Sequence, residues 1–508
     1  MMRINEVFSK TINSSPKKSL IFIITVFILS RLFFFYKGIR FNTDNLVCFW
    51  QFIDPVLLKN NLFQSIYYLH IQPPLFSLFL GSILKLFPNA YALVFNFIYL
   101  AFGLTLAVSI FLILTKLRVN SRLSIILTVL FMISPATILY ENILFYDYPT
   151  MTLLCLSALF LHRFVNKGKL WNGMAFFVLL SLIVLIRSIF HIVWFIFFVC
   201  VLLFYQRNNR KRIVLAAIVP FILIAFIYLK NLYLFGIFNG SSWMGLSLSR
   251  FIGDELPEDE RKALINQSKI SKFSLIEAYS PLGDYRDSLS KIRKTNIAVL
   301  DQQIKSTGYT NFNNIEYVGI SKQYLKDTVY ILFSHPEIYL KGLARAYYFY
   351  FLPATEFNYL NMNGNRDHIY SLIRLSNFLF CGQVLPHRDY SQYKKNDIYK
   401  YYKYKFLSTG LLLIIGFMVS AVYGLRVVFS TLTKKDLLLK TTDLPFALTV
   451  LFLWANIIYV TLTCNFLSWG ENFRYRFTID PFILILLGLV INEIIRKHKN
   501  QEMKCRAP

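Results

Sequence analysis

Apolar runs long enough to cross a bilayer recur along the chain, and short basic clusters separate them. A membrane-crossing helix needs about 20 mostly apolar residues. The pattern therefore predicts spans over 19–36, 91–115, 123–140, 148–165, 170–186, 189–205, 213–235, 405–429, 443–463 and 476–496. The clusters between them are Lys116, Arg118 and Arg122; Arg163, Lys167 and Lys169; Arg207, Arg210, Lys211 and Arg212; Lys434, Lys435 and Lys440; and Arg496, Lys497 and Lys499. Cytoplasmic loops carry an excess of Lys and Arg, so these clusters, with Arg3, Lys10, Lys17 and Lys18, are placed in the cytoplasm, where they can meet anionic head groups. The opposite face then receives 37–90, 141–147, the turn 187–188, 237–404 and 464–475. The expected architecture is an all-α polytopic membrane protein with about ten transmembrane helices. It divides into a cytoplasmic N-terminus (1–18), a transmembrane module (19–235), an outer-face segment (237–404), C-terminal transmembrane helices (405–496) and a basic tail (497–508).

Two stretches need separate treatment. "PPLFSLFLGSILKLF" (73–87) is apolar but short and opens on two prolines. If it crossed, the basic clusters from Lys116 to Arg212 would face outward, so it is expected to lie on or dip into the outer leaflet against protein; eleven spans is the alternative. The segment 237–404 is polar and Tyr-rich, long enough for a small domain, with amphipathic patches such as "SKQYLKDTVYILFSHPEIYLKGLARAYYFYF" suited to the membrane surface. No small-residue cleavage site follows the first span, where "LSRLFFFYKGIR" stands instead, so that span is expected to be retained.

Composition narrows the class. Of 508 residues, 56% are hydrophobic and 16% charged, against about 25% charged in soluble proteins; the mean hydropathy is +0.49. These values exclude a soluble enzyme, a disordered chain, a collagen and a coiled coil. The net charge of +27 raises nucleic acid as a partner, but the basic residues fall between apolar runs, so none is expected. Six unclustered cysteines form neither a disulfide framework nor a zinc pattern. No P-loop, dinucleotide glycine fingerprint, serine nucleophile elbow or HExxH motif is present.

Ionisable groups near membrane depth are costly and mark function by default. Asp44, in "RFNTDNLVCFWQF", is placed to accept a proton from a hydroxyl; otherwise it is a solvated loop residue or the cap of a helix over 45–59. Glu141 and Asp147 share the short loop "YENILFYDYPT". They could orient an acceptor or, with Asp44, share a divalent cation, or Asp147 caps the helix near Pro149. Arg31, Arg187, Arg474 and Arg476 could hold a phosphate. The alternatives are snorkelling for Arg31, and pairing of Arg474 and Arg476 with Glu471 or Asp480. His70, in "YLHIQPPLF", could contact a leaving phosphate or be structural, and the same choice holds for His191.

Taken in order, an Arg near the end of the first span, an acid in the first outer loop, "YLHIQPPLF", a loop ending "DYP", "SHPEIYL" and "ENFRYRFTIDPFILIL" resemble the GT-C glycosyltransferases, in particular the family 39-type enzymes. That family includes protein O-mannosyltransferases and the bacterial lipid A aminoarabinose transferase. The likeness covers 19–235 in layout and 464–496 in motif. It implies a donor sugar on a polyprenyl or dolichyl phosphate and a site at the outer or lumenal face. It implies Asp44 as catalytic base, and Asp147, with Glu141, in acceptor or metal binding. The His-Pro-Pro pattern of many members is interrupted here as His70-Ile71-Gln72-Pro73-Pro74. Asp44-Asn45 stands where the mannosyltransferases have Asp-Glu, which disfavours protein mannosylation.

The expectation is an inverting glycosyltransferase. It would move a sugar from a polyprenyl-phosphate donor to a lipid, glycan or protein hydroxyl, with Arg474 and Arg187 on the phosphate. No soluble cofactor is required, a divalent cation is an option, and membrane lipids are partners. A bacterial inner membrane is expected over the endoplasmic reticulum. A lipid-glycan flippase, a polymerase and a non-catalytic scaffold subunit are the competing classes.

Overall fold

Among the described residues, regular secondary structure is helical; only two isolated bridges, Asn42 with Ile143 and Ile304 with Thr310, pair extended backbone. The structure, a computed structural model, describes residues 16–253, 255–289, 293–361, 364–381, 411–433 and 444–505. The end of the outer-face segment, the start of the expected span 405–429, the cluster Lys434–Lys440 and both extreme termini lie outside the described residues.

The longer helices are α1 (Pro16–Tyr36), α2 (Leu75–Leu86), α3 (Tyr91–Lys116), α4 (Ser121–Met132), α5 (Pro135–Glu141), α6 (Asp147–Lys167), α7 (Leu170–Ile186), α8 (Ile192–Tyr205), α9 (Arg210–Phe235), α10 (Met244–Gly253), α11 (Glu316–Ser334), α12 (Pro336–Tyr350), α13 (Leu411–Thr433), α14 (Leu444–Leu467), α15 (Asn472–Phe477) and α16 (Asp480–Cys505). Among the described residues six are long and apolar enough to cross a membrane: α1, α3, α6, α9, α13 and α14. The pair α4–α5 makes a seventh if its 56° bend is one broken span. Several helices of this kind are the mark of a multi-pass membrane protein.

The count differs from ten for identifiable reasons. The run 123–140 breaks because Ser134 caps a new helix and Pro135 opens it; Pro removes a helical N–H and clashes with the preceding turn. Helices α7 and α8 have 17 and 14 residues, and at 1.5 Å per residue the shorter reaches only about 21 Å against a hydrocarbon core of about 30 Å. Helix α16 carries Asp480, Glu493, Arg496 and Lys497 along its length. The stretch after Pro73–Pro74 gives α2, 12 residues long. The expected helix 45–59 is also interrupted. Short helices at Asn45–Cys48 and Pro55–Asn60 flank a link that turns at Trp50–Gln51, where the Phe52 N–H donates to the Phe49 carbonyl at 3.1 Å, and Asp54 accepts from the Val56 N–H at 2.8 Å as the cap of the second.

Helix α6 is the hub. It packs on α3, α7 and α14 and touches α15 and α16. Its membrane-length window is 83% buried, against 39% for the α9 region. Thr150, Thr152, Ser157 and Ala158, all buried on α6, let neighbouring backbones approach closely, as small residues do between membrane helices. The start of α6, the ends of α7, α9 and α14, and the start of α16 lie at one end of the bundle, because successive helices alternate in direction. At that end α10, α11, α12 and the link 303–314 cover the bundle. Lys305 donates to the Phe49 carbonyl at 3.0 Å, and Ser306 donates to Asp54 at 2.6 Å; these bonds fix the link carrying Trp50 and Gln51.

Candidate functional site

The short loop before α6 places Tyr146 and Asp147 at the centre of this end. Asp147 is fully buried. Arg187, at the end of α7, reaches it with Nη2 3.0 Å from Oδ1, and Arg474 on α15 brings Nε to 3.6 Å from Oδ2. Arg474 Nη2 also lies 3.0 Å from Glu471 Oε2. The Arg187 guanidinium stacks on Tyr146 at 4.4 Å and on Tyr475 at 4.7 Å. Burial pushes the Tyr146 phenol up to about 12, so it keeps its proton and donates to Gln51 Oε1 at 2.5 Å.

The cluster is close but poorly satisfied. Both Asp147 carboxylate oxygens, Arg187 Nε and Nη2, and Arg474 Nε are buried without a hydrogen-bond partner. The ion contacts therefore bring the charges together without aligned hydrogen bonds. Buried polar groups are normally bonded, and each one left over costs about 1–3 kcal/mol, more when charged.

Above the cluster lies a cavity of about 150 Å³, lined by Arg187, Arg250, Arg474, Glu471, Tyr146 and Trp50 among others. Among the described residues that line it, Glu471 is the only acid. Arg250 of α10 stacks on Trp469 at 5.0 Å, and no carboxylate among the described residues pairs with it. Among the described residues, three guanidiniums (Arg187, Arg250, Arg474) thus face two carboxylates (Asp147, Glu471), an excess of one positive charge.

The other expected site residues lie elsewhere. Asp44 is exposed and does not line the cavity. Its Oδ2 accepts from Asn42 Nδ2 at 2.7 Å, and its side chain makes no cap bond. The structure therefore does not bring the expected base to the arginines. Glu141 is held by Arg31 in a bidentate pair, Nε to Oε1 at 2.8 Å and Nη2 to Oε2 at 2.7 Å, and accepts from the Tyr148 hydroxyl at 2.7 Å. Arg31 also donates to the Met132 carbonyl at 3.0 Å, which the break between α4 and α5 leaves available. A Cβ on Gly103 would collide with the Glu141 carboxylate, so glycine makes room for this pair. Arg476 bonds Asp480 at 3.2 Å and the Leu352 carbonyl at 2.9 Å, and also the Tyr350 carbonyl at the end of α12; a cation on the last carbonyls of a helix is a structural cap.

His70 is buried, its Nδ1 2.8 Å from Ser242 Oγ and its Nε2 3.0 Å from the Asn313 carbonyl. Burial pushes it down to about 3, so it is neutral and ties the Pro73–Pro74 loop to 242 and 313. His191 caps α8, accepting from the Val193 N–H at 3.3 Å. Asp44, Glu141 and Asp147 do not form one donor set, and among the described residues no three His, Cys, Asp or Glu side chains gather as metal ligands. The described residues thus offer no protein site of three such ligands for a divalent cation.

Sequence reasoning missed Trp50, Gln51, Trp243, Arg250 and Tyr279 as cavity walls and treated Glu471 only as a partner for its neighbours. The signal available was aromatic residues beside amides and small polar residues in "FWQF" and "NGSSWMG". No family model matches the chain, and neither a curated protein nor a solved structure matches it.

Proposed function

We propose that the chain is an integral-membrane glycosyltransferase that moves a sugar from a polyprenyl- or dolichyl-phosphate donor to a hydroxyl acceptor at the outer face. The observation that carries the reading is the under-bonded Arg187–Asp147–Arg474 cluster beneath a cavity with one excess positive charge among the described residues. A phosphate is an anion whose oxygens accept several charge-assisted bonds at once, and it would complete guanidiniums that the fold leaves short of partners. The GT-C resemblance in motif order points to the same donor class. In this reading the six long helices, the bent pair α4–α5 and the helices α7, α8 and α16 make the ten spans, and the membrane is a bacterial inner membrane.

The chemistry follows from placement. Arg187, Arg474 and Arg250 hold the donor phosphate, and Ile186, Ile189 and Leu467 form the apolar side on which the lipid tail leaves. The acceptor oxygen attacks the anomeric carbon, its proton passes to Glu471, and the bond from that carbon to the phosphate oxygen breaks with its electron pair on the phosphate. One displacement inverts the anomeric centre. Glu471 takes the base role expected of Asp44 because it is the carboxylate in the cavity wall. Fixed guanidiniums at the departing charge need no reorganisation during the step.

Membranes containing the full chain, incubated with radiolabelled polyprenyl-phosphate sugars and a membrane glycan extract, test this. Label transfer that disappears in Arg474→Gln and persists in Asp44→Asn is expected. No transfer from any donor, or loss in Asp44→Asn with normal protein level and normal Arg474→Gln activity, rejects it.

A further inference from the structure

The guanidiniums account for only part of the cavity. Trp50, Trp243 and Tyr279 form a second wall, with ring centroids 5.7, 4.8 and 4.9 Å apart pairwise. Phe312 backs it at 6.0 Å from Trp50 and 5.7 Å from Trp243. This wall contains three neutral polar atoms that the fold leaves buried without partners: the indole nitrogens of Trp50 and Trp243 and the Asn239 amide oxygen. All three residues line the cavity. Two N–H donors and one carbonyl acceptor beside aromatic rings match a ligand that offers hydroxyls at its edge and C–H groups on its face. No carboxylate among the described residues stands on this wall.

We propose that the Trp50–Trp243–Tyr279 wall is the subsite for an uncharged sugar ring, and that the cavity rejects a sugar bearing an ammonium group. The proposal rests on the lipid-phosphate reading above and names the class of sugar within it. Aromatic rings by themselves attract cations. The donor pattern decides against that here: the two unpartnered indole N–H groups can bond only an acceptor, and an ammonium group offers none. An ammonium group on this wall would give up its water to face two N–H donors, with only the Asn239 oxygen to accept from it. A neutral ring meets no such opposition and supplies acceptors to the two indoles and a donor to Asn239.

The test is equilibrium binding to the full chain in nanodiscs, with three probes: bare polyprenyl phosphate, polyprenyl-phosphate mannose, and polyprenyl-phosphate glucosamine with its amine free. The mannose lipid is expected to bind about tenfold tighter than bare polyprenyl phosphate, and the glucosamine lipid no tighter than the bare one. Trp243→Phe keeps a ring in place but removes the N–H. It should weaken the mannose lipid about three- to tenfold, as for one lost hydrogen bond, and leave the bare lipid unchanged. Bare lipid that binds while mannose adds nothing overturns the subsite alone, as does glucosamine lipid binding as tightly as mannose lipid. Binding of none of the three probes overturns both the subsite and the lipid-phosphate reading.

Discussion

Two buried arginine–carboxylate groups stand at the same end of this bundle, and they are built differently. In the first, Arg31 and Glu141 meet through two aligned bonds of 2.8 and 2.7 Å, and Ser30, Met132 and Tyr148 take further bonds. In the second, Arg187 and Arg474 approach Asp147 at 3.0 and 3.6 Å, and both of its oxygens remain without a hydrogen bond. The first group is complete and ties α1 to the break between α4 and α5. The second lies beneath a cavity, and its guanidinium nitrogens lack acceptors of the kind an anionic ligand would supply. The difference teaches that burial and charge alone do not mark a site. What separates a site from a structural pair is how many of its polar atoms the protein itself satisfies.

The largest test exchanges charge at each group. Arg31→Met alone strands Glu141 and should cost about 3–5 kcal/mol of stability, read by thermal unfolding of the solubilised chain. Adding Glu141→Gln, which still accepts from Tyr148, should recover most of that stability and preserve transfer. The matching double change at the second group, Asp147→Asn with Arg187→Gln, should leave the fold intact and abolish transfer. If both double variants behave alike, the distinction fails.

Next, Glu471→Gln should lower kcat about 10²–10⁴-fold, as for loss of a general base, with the donor still bound. The same contrast extends to His70, a buried group whose ring nitrogens are both partnered. Its folded pKa of about 3 lies below its unfolded value near 6.5. The unfolded chain therefore takes up the proton first. This contribution is whole above pH 6.5 and is lost at about 1.4 kcal/mol per pH unit as pH falls toward 3. Melting temperatures across pH 7 to 5 should show the loss in the parent chain and a smaller one in His70→Gln. The smallest expected effect is that of Arg250→Ala. This guanidinium is only partly buried and lies in no ion pair among the described residues, so the change should raise the donor KM about tenfold, or about 1.4 kcal/mol, with little change in melting temperature.

Some of this was legible in the sequence, and the boundary follows physical distance. The pairs Arg474–Glu471 and Arg476–Asp480 lie three and four residues apart on helical segments, where side chains meet by local geometry. Pro73–Pro74 announces the start of α2. Arg31 and Glu141 are 110 residues apart; hydropathy treats the run 123–140 as continuous, so neither the break at Ser134–Pro135 nor the Met132 carbonyl it leaves to Arg31 is visible. Asp44 carried the expectation of a base through its place after the first span. The link 49–54, held by Lys305 and Ser306 of a distant loop, instead turns Trp50 and Gln51 to the cavity. The most buried of the membrane-length helices among the described residues, α6, also has the lowest hydropathy of them, 1.2, with Thr150, Thr152, Ser157 and His162 on it. Apolar strength therefore flagged the lipid-facing helices more clearly than the one that begins at the site.

The most direct measurement is a structure of the full chain in nanodiscs with polyprenyl phosphate bound. The phosphate should lie within hydrogen-bonding distance of Arg187 and Arg474, with Arg250 turned toward it, and Arg31–Glu141 should be unchanged. A phosphate bound away from that cavity, or Arg187 and Arg474 still holding only Asp147 and Glu471 in the presence of the lipid, would contradict the account.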